Sequence, residues 1–303
     1  MRPEIEQAIA LLQRDDSQSL EEALSLLQNT VFSFSMRVCG QREDAEDTTQ
    51  EVLVKSLSYL SRFENPKALL VWLYKVAKNR CLMSRRKSKF APQRELSLEE
   101  LMPGRQELEQ LADGSRINPE SFAIHSEEAR RLRTAIQKLP PQYRIILVLR
   151  DMEGLTDQEV AEITGLRAGT VRVRLHRGRL FVRKQLMKTA KPRQAAAKAA
   201  ERPRPARCKA MFAELSDYLD EKLDDSLCEE LEKHLDGCEP CKAFLSSLEA
   251  IIEQCRKSPS EYPDPKKAAK LRQQLLWNYE RALKARTSDI LTSEEINKSR
   301  VCK

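Results

Sequence analysis

Residues 139–180 read LPPQYRIILVLRDMEGLTDQEVAEITGLRAGTVRVRLHRGRL, and this stretch decides the fold. Thr156 and Glu159 stand in the S/T-x-x-E order of a capping box, which predicts a helix starting at Thr156. Gly165 ends it, and a second helix begins near 168–170. On that second helix Val171, Leu175 and Val182 share one face, expected to point inward. Arg172, His176, Arg179 and Arg183 form a ridge expected to be exposed, with Thr170, Arg174 and Arg177 as its neighbour. A helix that is apolar beneath and guanidinium-rich above suits a DNA major groove, where arginine bonds phosphates and guanine edges. The competing reading is a basic amphipathic helix on an ordinary surface. The capped first helix and the glycine turn at helix-turn-helix spacing favour the groove.

Working outward, the 303 residues allow two or three domains. A third of the chain is charged, only 8 residues are Gly and 5% are aromatic, and apolar residues recur at spacings of three or four. That pattern predicts an all-α protein. The net charge of +7 is unevenly spread: residues 208–257 hold 13 acidic against 6 basic residues, leaving +14 on the remainder. A basic body joined to an acidic module suggests that the two meet. No apolar run approaches the roughly 20 residues of a membrane span. The N-terminus also lacks a signal-peptide core. A cytoplasmic protein with no membrane partner is expected, in which eight cysteines are metal ligands, core residues or redox-active thiols rather than a disulfide framework.

The expected organisation is a helical domain over 1–90, a linker over 91–125, the helix-turn-helix domain over 126–187 and a basic tether over 188–207. A small acidic module at 208–257 and an amphipathic helix with tail at 258–303 complete it. In the first domain Leu20, Leu24, Leu27 and Val31 are spaced as one buried stripe. In DAEDTTQEVLVKSL (44–57), Ala45, Thr48, Thr49, Val52 and Leu57 should face inward, and Asp44, Asp47, Gln50, Glu51 and Lys55 outward. A short helix is expected around 96–102, and another over 264–286 with Leu271, Leu275, Trp277 and Leu283.

Cys208 followed by His234-x3-Cys238-x2-Cys241 supplies one imidazole and three thiols, the Cys3His set of a closed structural Zn²⁺ site. Leu227, Leu231 and Leu235 form a stripe on a helix that Gly237 ends, with His234 on its last turn. Cys238 then lies in the turn, and Pro240 suits the first turn of the next helix, which returns Cys241. Phe212, Leu215 and Leu219 follow Cys208 toward the same core. So small a unit would draw much of its folding energy from the metal. Cys39 and Cys81 read as core residues; Cys228, Cys255 and Cys302 carry no role, although the first two could serve as resolving thiols. His125 is assigned nothing.

The two basic domains resemble a bacterial extracytoplasmic-function (ECF) sigma factor. DAEDTTQEV (44–52), WLYKVAKNR (72–80) and Arg85–Arg86 are similar to the family's region 2; residues 139–166 and GTVRVRLHRGR (169–179) are similar to region 4. The resemblance implies two helical sigma domains that partner core RNA polymerase and promoter DNA. By position, Asp44, Asp47, Gln50, Glu51 and Lys55 would face the polymerase; Lys78, Asn79, Arg80, Arg85 and Arg86 would lie at the −10 element. Thr170, Arg172, Arg174, His176, Arg177 and Arg179 would lie at the −35 element. Met83 stands where the family has Asp, Val173 where it has Ser, and Gly178 sits mid-helix.

The acidic module resembles the zinc-binding anti-sigma fold, which implies an intramolecular clasp on the sigma domains. A tether makes even a weak clasp largely closed, since the local concentration is of order mM. The expected function is a sigma factor regulated by its own fused module. The alternatives are a helix-turn-helix regulator that never meets polymerase and a zinc-folded adaptor. An enzyme is not expected: there is no phosphate-binding glycine loop, no nucleophile elbow, and the metal set leaves no open position.

Overall fold

In the computed structural model, residues 3–14, 16–57, 59–60, 63, 65–86, 95–103, 126–189, 206–279 and 281 are described. His125, Leu283, Cys302, most of the linker and the tether, and the side chains of Arg85 and Arg86 lie outside that set. The described residues hold helices and turns, with no strand among them. They divide into two compact units, residues 1–85 with those from 260 onward, and residues 86–259.

The first unit is built from α1 (Pro3–Leu12), α2 (Ser17–Cys39), α3 (Arg42–Leu57) and α4 (Pro66–Arg86). The Asp16 carboxylate starts α2 by accepting from the Ser19 amide at 2.7 Å, and Gly40, at φ 81°, ends it where a side chain would be strained. Leu24, Leu27 and Val31 are fully buried, while Leu20 at the head of the expected stripe is half-buried. On α3 the expected inward residues Ala45, Thr48, Thr49 and Val52 are buried; Leu57, at the end, is half-buried. Cys39 and Cys81 are core residues as expected, and they are also joined as a disulfide between α2 and α4. The expected cytoplasmic setting argued against disulfides, and a bridge between two helix positions 42 residues apart leaves no signal in local spacing.

A helix over 265–279, α13, belongs to this unit. Lys267 reaches Glu46 at 2.6 Å, Arg272 donates to Gln28 at 3.0 Å, and Arg42 donates to the Tyr262 carbonyl at 3.1 Å. Ala268 and Leu275 are buried beneath it. Trp277, expected on the apolar face, is 57% exposed and carries the Arg281 guanidinium over its ring.

The second unit contains α5 (Leu98–Leu101), α6 (Ser126–Gln137), α7 (Pro141–Leu147), α8 (Asp157–Thr164) and α9 (Ala168–Thr189). It continues with α10 (Ala206–Leu219), α11 (Asp225–Asp236) and α12 (Glu239–Lys257). The buried Arg144 binds the carbonyls of Ile136, at 3.1 Å, and Leu139, at 2.8 Å, and so caps the end of α6. A wider helical turn, Val148–Met152, extends α7 and aims Arg150 and Asp151 at α9 and α10. The expected capping box is complete, with Thr156 and Glu159 bonding each other's backbone amides, and Gly165 ends α8 at φ 74°. Val171, Leu175 and Val182 are buried, so α9 packs on the face its periodicity predicts.

Candidate nucleic-acid interface and metal centre

Seven basic residues and no acidic one lie on α9. Thr170, Arg172, Arg174 and Arg177 are partly exposed, and Val173 between them is 52% exposed. The remaining ridge departs from expectation. His176, Arg179 and Arg183 are buried, because α10 and α12 cover the flank of α9 that the sequence reading left to solvent. As seated here, His176 and Arg179 do not face a groove.

Arg179 is held from two sides. Its Nε and Nη2 donate to Asp151 at 2.9 and 2.6 Å; its Nη1 and Nη2 donate to the two oxygens of Asp220 at 3.0 Å each. Asp151 precedes α8 and Asp220 follows α10, so the guanidinium bridges two parts of the chain 69 positions apart. The carboxylates of Asp151 and Asp220 outweigh burial and raise the Arg179 pKa further above its ordinary value. Arg150 lies beside them, donating to Asp157 at 3.0 Å and approaching Asp220 at 3.5 Å. Lys222 pairs with the other oxygen of Asp157. Burial alone would raise the Asp157 carboxyl, but Lys222 and Arg150 outweigh it and hold the group below the ordinary range.

The turn that presents Asp220 and Lys222 is itself shaped by backbone. Glu221 adopts φ 54°, and the Lys222 amide returns to the Asp217 carbonyl at 2.8 Å. One turn earlier, Ser216 meets His176 Nδ1 at 2.7 Å. Burial first, then the adjacent Arg179 and Arg177, push the His176 pKa down to about 4. Arg183 donates to Ser247 at 2.6 Å and lies over the Phe244 ring. None of Asp151, Asp220, Ser216, Phe244 and Ser247 was singled out by sequence. The signal that pointed toward them was the charge imbalance between residues 208–257 and the rest.

On α4 and α3 the other expected contacts are spread. Lys78 is buried, and that burial, with Lys75 nearby, lowers its pKa; Asn79 is exposed. Arg80 pairs with Glu51 at 2.8 Å, so a residue expected at DNA and one expected at polymerase meet each other. Asp47, Gln50 and Lys55 are exposed, and Asp44 and Glu51 half-buried. Lys55 bonds Glu51 at 2.7 Å, and that bond, helped by Arg80, holds the Glu51 carboxyl below its ordinary range despite partial burial.

The metal set converges. Ligand atoms of Cys208, His234, Cys238 and Cys241 all lie within 4.8 Å of one another, and His234 Nε2 is 3.3 Å from Cys241 Sγ. A tetrahedral Zn²⁺ with ~2.3 Å bonds separates its ligands by about 3.8 Å, so the four lie near ligating separation, the His234–Cys241 pair slightly inside it. Asp224 caps α11 through the Leu227 amide at 3.0 Å, Gly237 ends it after His234, and Pro240 opens α12. Leu231 and Leu235 are buried as expected; Leu227 is 36% exposed. Burial and the neighbouring Cys238 and Cys208 raise the Cys241 thiol, an ordering that a divalent cation reverses by favouring thiolates. Cys255 is buried and Cys228 partly so; burial and then Glu232, Asp225 and Asp224 raise the Cys228 pKa, the opposite of a reactive thiol.

Residues 24–90 match the Sigma-70 region 2 family, 129–182 match Sigma-70, region 4, and 208–242 match a family described as putative zinc-finger. Among similar proteins, the RNA polymerase sigma factor SigV of Bacillus subtilis is 30% identical over 148 residues, 48% of this chain and 78% of that one. The chain belongs to the ECF sigma factor family. The ECF RNA polymerase sigma factor SigW of Bacillus subtilis is 29% identical over 186 residues, 60% of this chain and 96% of SigW. The ECF RNA polymerase sigma factor SigE of Mycolicibacterium smegmatis is 32% identical over 177 residues, 56% and 62% of the two chains. This ECF sigma factor thus carries a fused zinc-finger-like domain. Among the described residues, no helix is long and apolar enough to cross a membrane.

Proposed function

We propose that this chain is a cytoplasmic, non-enzymatic sigma factor restrained by its own zinc module. The observation that carries the reading is the double grip on Arg179, by Asp151 from region 4 and by Asp220 from the module. Together with His176–Ser216 and Arg183–Ser247, it covers one flank of the helix assigned to the −35 element. Thr170, Arg172, Arg174 and Arg177 would read that element once the module leaves. Lys78, Asn79, Arg80, Arg85 and Arg86 would serve the −10 element, and the α3 residues Asp44, Asp47, Gln50, Glu51 and Lys55 the polymerase. The Lys267–Glu46 contact puts α13 beside that α3 face, so the C-terminal helix would restrict it as well. One structural Zn²⁺ held by Cys208, His234, Cys238 and Cys241 would keep the module folded.

Run-off transcription with core polymerase tests the reading, comparing the full chain, residues 1–190 and a full chain bearing Asp220→Arg. The reading expects the full chain to be weak and both variants strong. Equal activity of all three would remove restraint as the module's role.

A further inference from the structure

The stretch from Glu95 to Pro103 belongs to the linker by sequence but lies on region 4. Leu96, Leu101, Met102 and Pro103 are buried, while Glu95, Ser97, Glu99 and Glu100 are exposed. The Leu96 amide donates to the buried Tyr143 hydroxyl of α7 at 3.0 Å, and Lys184 of α9 donates to the Glu100 carbonyl. The single turn of α5 packs on α9, with the Met102 amide returning to the Leu98 carbonyl at 3.0 Å. Lys184 lies on the half of α9 beyond Arg172, Arg174 and Arg177, so the stretch is seated away from the residues assigned to the −35 element. Burial of these apolar side chains stands against the entropy of ordering the stretch, two opposing terms of similar size. A segment so balanced can dock and leave.

We infer that residues 95–103 form a latch on region 4 that shortens the tether to region 2 and has to leave before both promoter elements are held at once. α4 ends at Arg86, so with the latch docked only the steps from 86 to 95 are free, a reach of at most about 32 Å. The length of α9 from Lys184 back to Arg172 adds about 18 Å at 1.5 Å per residue. With allowance for the width of the latch, Arg86 and Arg172 are then limited to roughly 60 Å. The names −35 and −10 put the elements about 25 base pairs apart, roughly 85 Å of duplex, and DNA that short is stiff. Undocked, the chain from Arg86 to Ser126 at the start of α6 reaches about 130 Å. A docked latch and a simultaneous hold on both elements therefore exclude each other. This assignment rests on the −10 and −35 residues proposed above. It adds a conformational step within the linker itself, whose cost lowers the affinity for a complete promoter.

The experiment measures promoter binding by mobility shift, with core polymerase and a genomic promoter fragment, for two insertions in a full chain bearing Asp220→Arg. That background keeps the module's restraint common to every form. Each insertion adds about 20 Gly/Ser residues, one between 90 and 91, ahead of the latch, the other between 110 and 111, behind it. The latch requires the forward insertion to tighten promoter binding at least threefold, because a docked segment no longer limits reach, and the rear insertion to leave it unchanged. Leu101→Ser should reproduce the forward gain, and the two together should add nothing to it. Equal effects of the two insertions, or no gain from either, overturn the latch and leave the sigma reading intact. Failure of every form to bind the promoter removes the sigma reading, and the latch falls with it. A second measurement needs no polymerase: amide exchange at Leu96, Leu101 and Met102 of the unmodified full chain should be at least tenfold slower than in a synthetic peptide spanning 90–108. Tyr143→Phe should speed exchange at Leu96 while helix content by circular dichroism stays unchanged. Peptide-like exchange in the full chain overturns the latch.

Discussion

The guanidinium of Arg183 lies 3.9 Å from the centroid of the Phe244 ring, and Phe244 follows the metal-set residue Cys241 by one helical turn. Phe244 in turn meets the Phe212 ring edge-on at 4.6 Å, and Phe212 follows Cys208 by one turn. The aromatic pair that receives a region 4 arginine is therefore mounted directly on two of the four metal-set residues. Arg183→Lys keeps the charge but loses the planar stack and the bond to Ser247. It should weaken docking by about 1–2 kcal/mol, from a buried cation–π contact and one charge-assisted bond. Run-off transcription should then show roughly a tenfold release of activity, with wild-type helix content by circular dichroism.

Removal of the metal should undo the same contacts from below. With the four ligands as the principal staple of α10, α11 and α12, elemental analysis should find one Zn per chain, and none in Cys241→Ser or His234→Ala. Both variants should also lose protection from protease across 206–257 while region 4 keeps its own. A chain that stays protected there without metal would show that apolar packing suffices.

Gly178 offers a prediction of opposite sign. It lies within α9 against α7, and a Cβ there would meet Leu147 Cδ1 at 3.6 Å and the Tyr143 carbonyl at 3.8 Å, ordinary van der Waals distances. Gly178→Ala should therefore stabilise the second unit by up to ~1 kcal/mol, through lost freedom in the unfolded chain. Thermal denaturation should show a rise of about 2–4 °C. A fall would mean that the added methyl disturbs the contact between α9 and α7.

His176 makes docking sensitive to acid. Its pKa is about 4 in the closed form, lowered by burial and by Arg179 and Arg177, against an ordinary value of 6.5. The open form binds the proton more readily between those values, so the closed form is favoured in full above about pH 6.5 and loses ground as pH falls toward 4. The whole window is worth about 3 kcal/mol. The melting temperature of the second unit should drop between pH 7 and pH 5, and His176→Gln should flatten that slope.

Much of this was legible in the chain itself. The capping box at Thr156 and Glu159, the glycine after α8 and the apolar face of α9 are local features, read from neighbours within one or two turns. The metal set was equally plain, because thiols and an imidazole at those spacings have few other uses. The disulfide between Cys39 and Cys81 and the exposure of Trp277 and Leu227 were not legible, since each depends on a surface brought from elsewhere.

By itself, then, the sequence determined which residues share a helix face, where helices begin and end, and which four side chains can gather round a metal. Tertiary structure alone decided that His176, Arg179 and Arg183 lie under another part of the chain, with Ser216, Asp220 and Ser247 as their partners. The physical reason is that helical periodicity specifies a face but not its cover. An arginine ridge looks the same in sequence whether water, a phosphate or a carboxylate 41 residues away completes its hydrogen bonds.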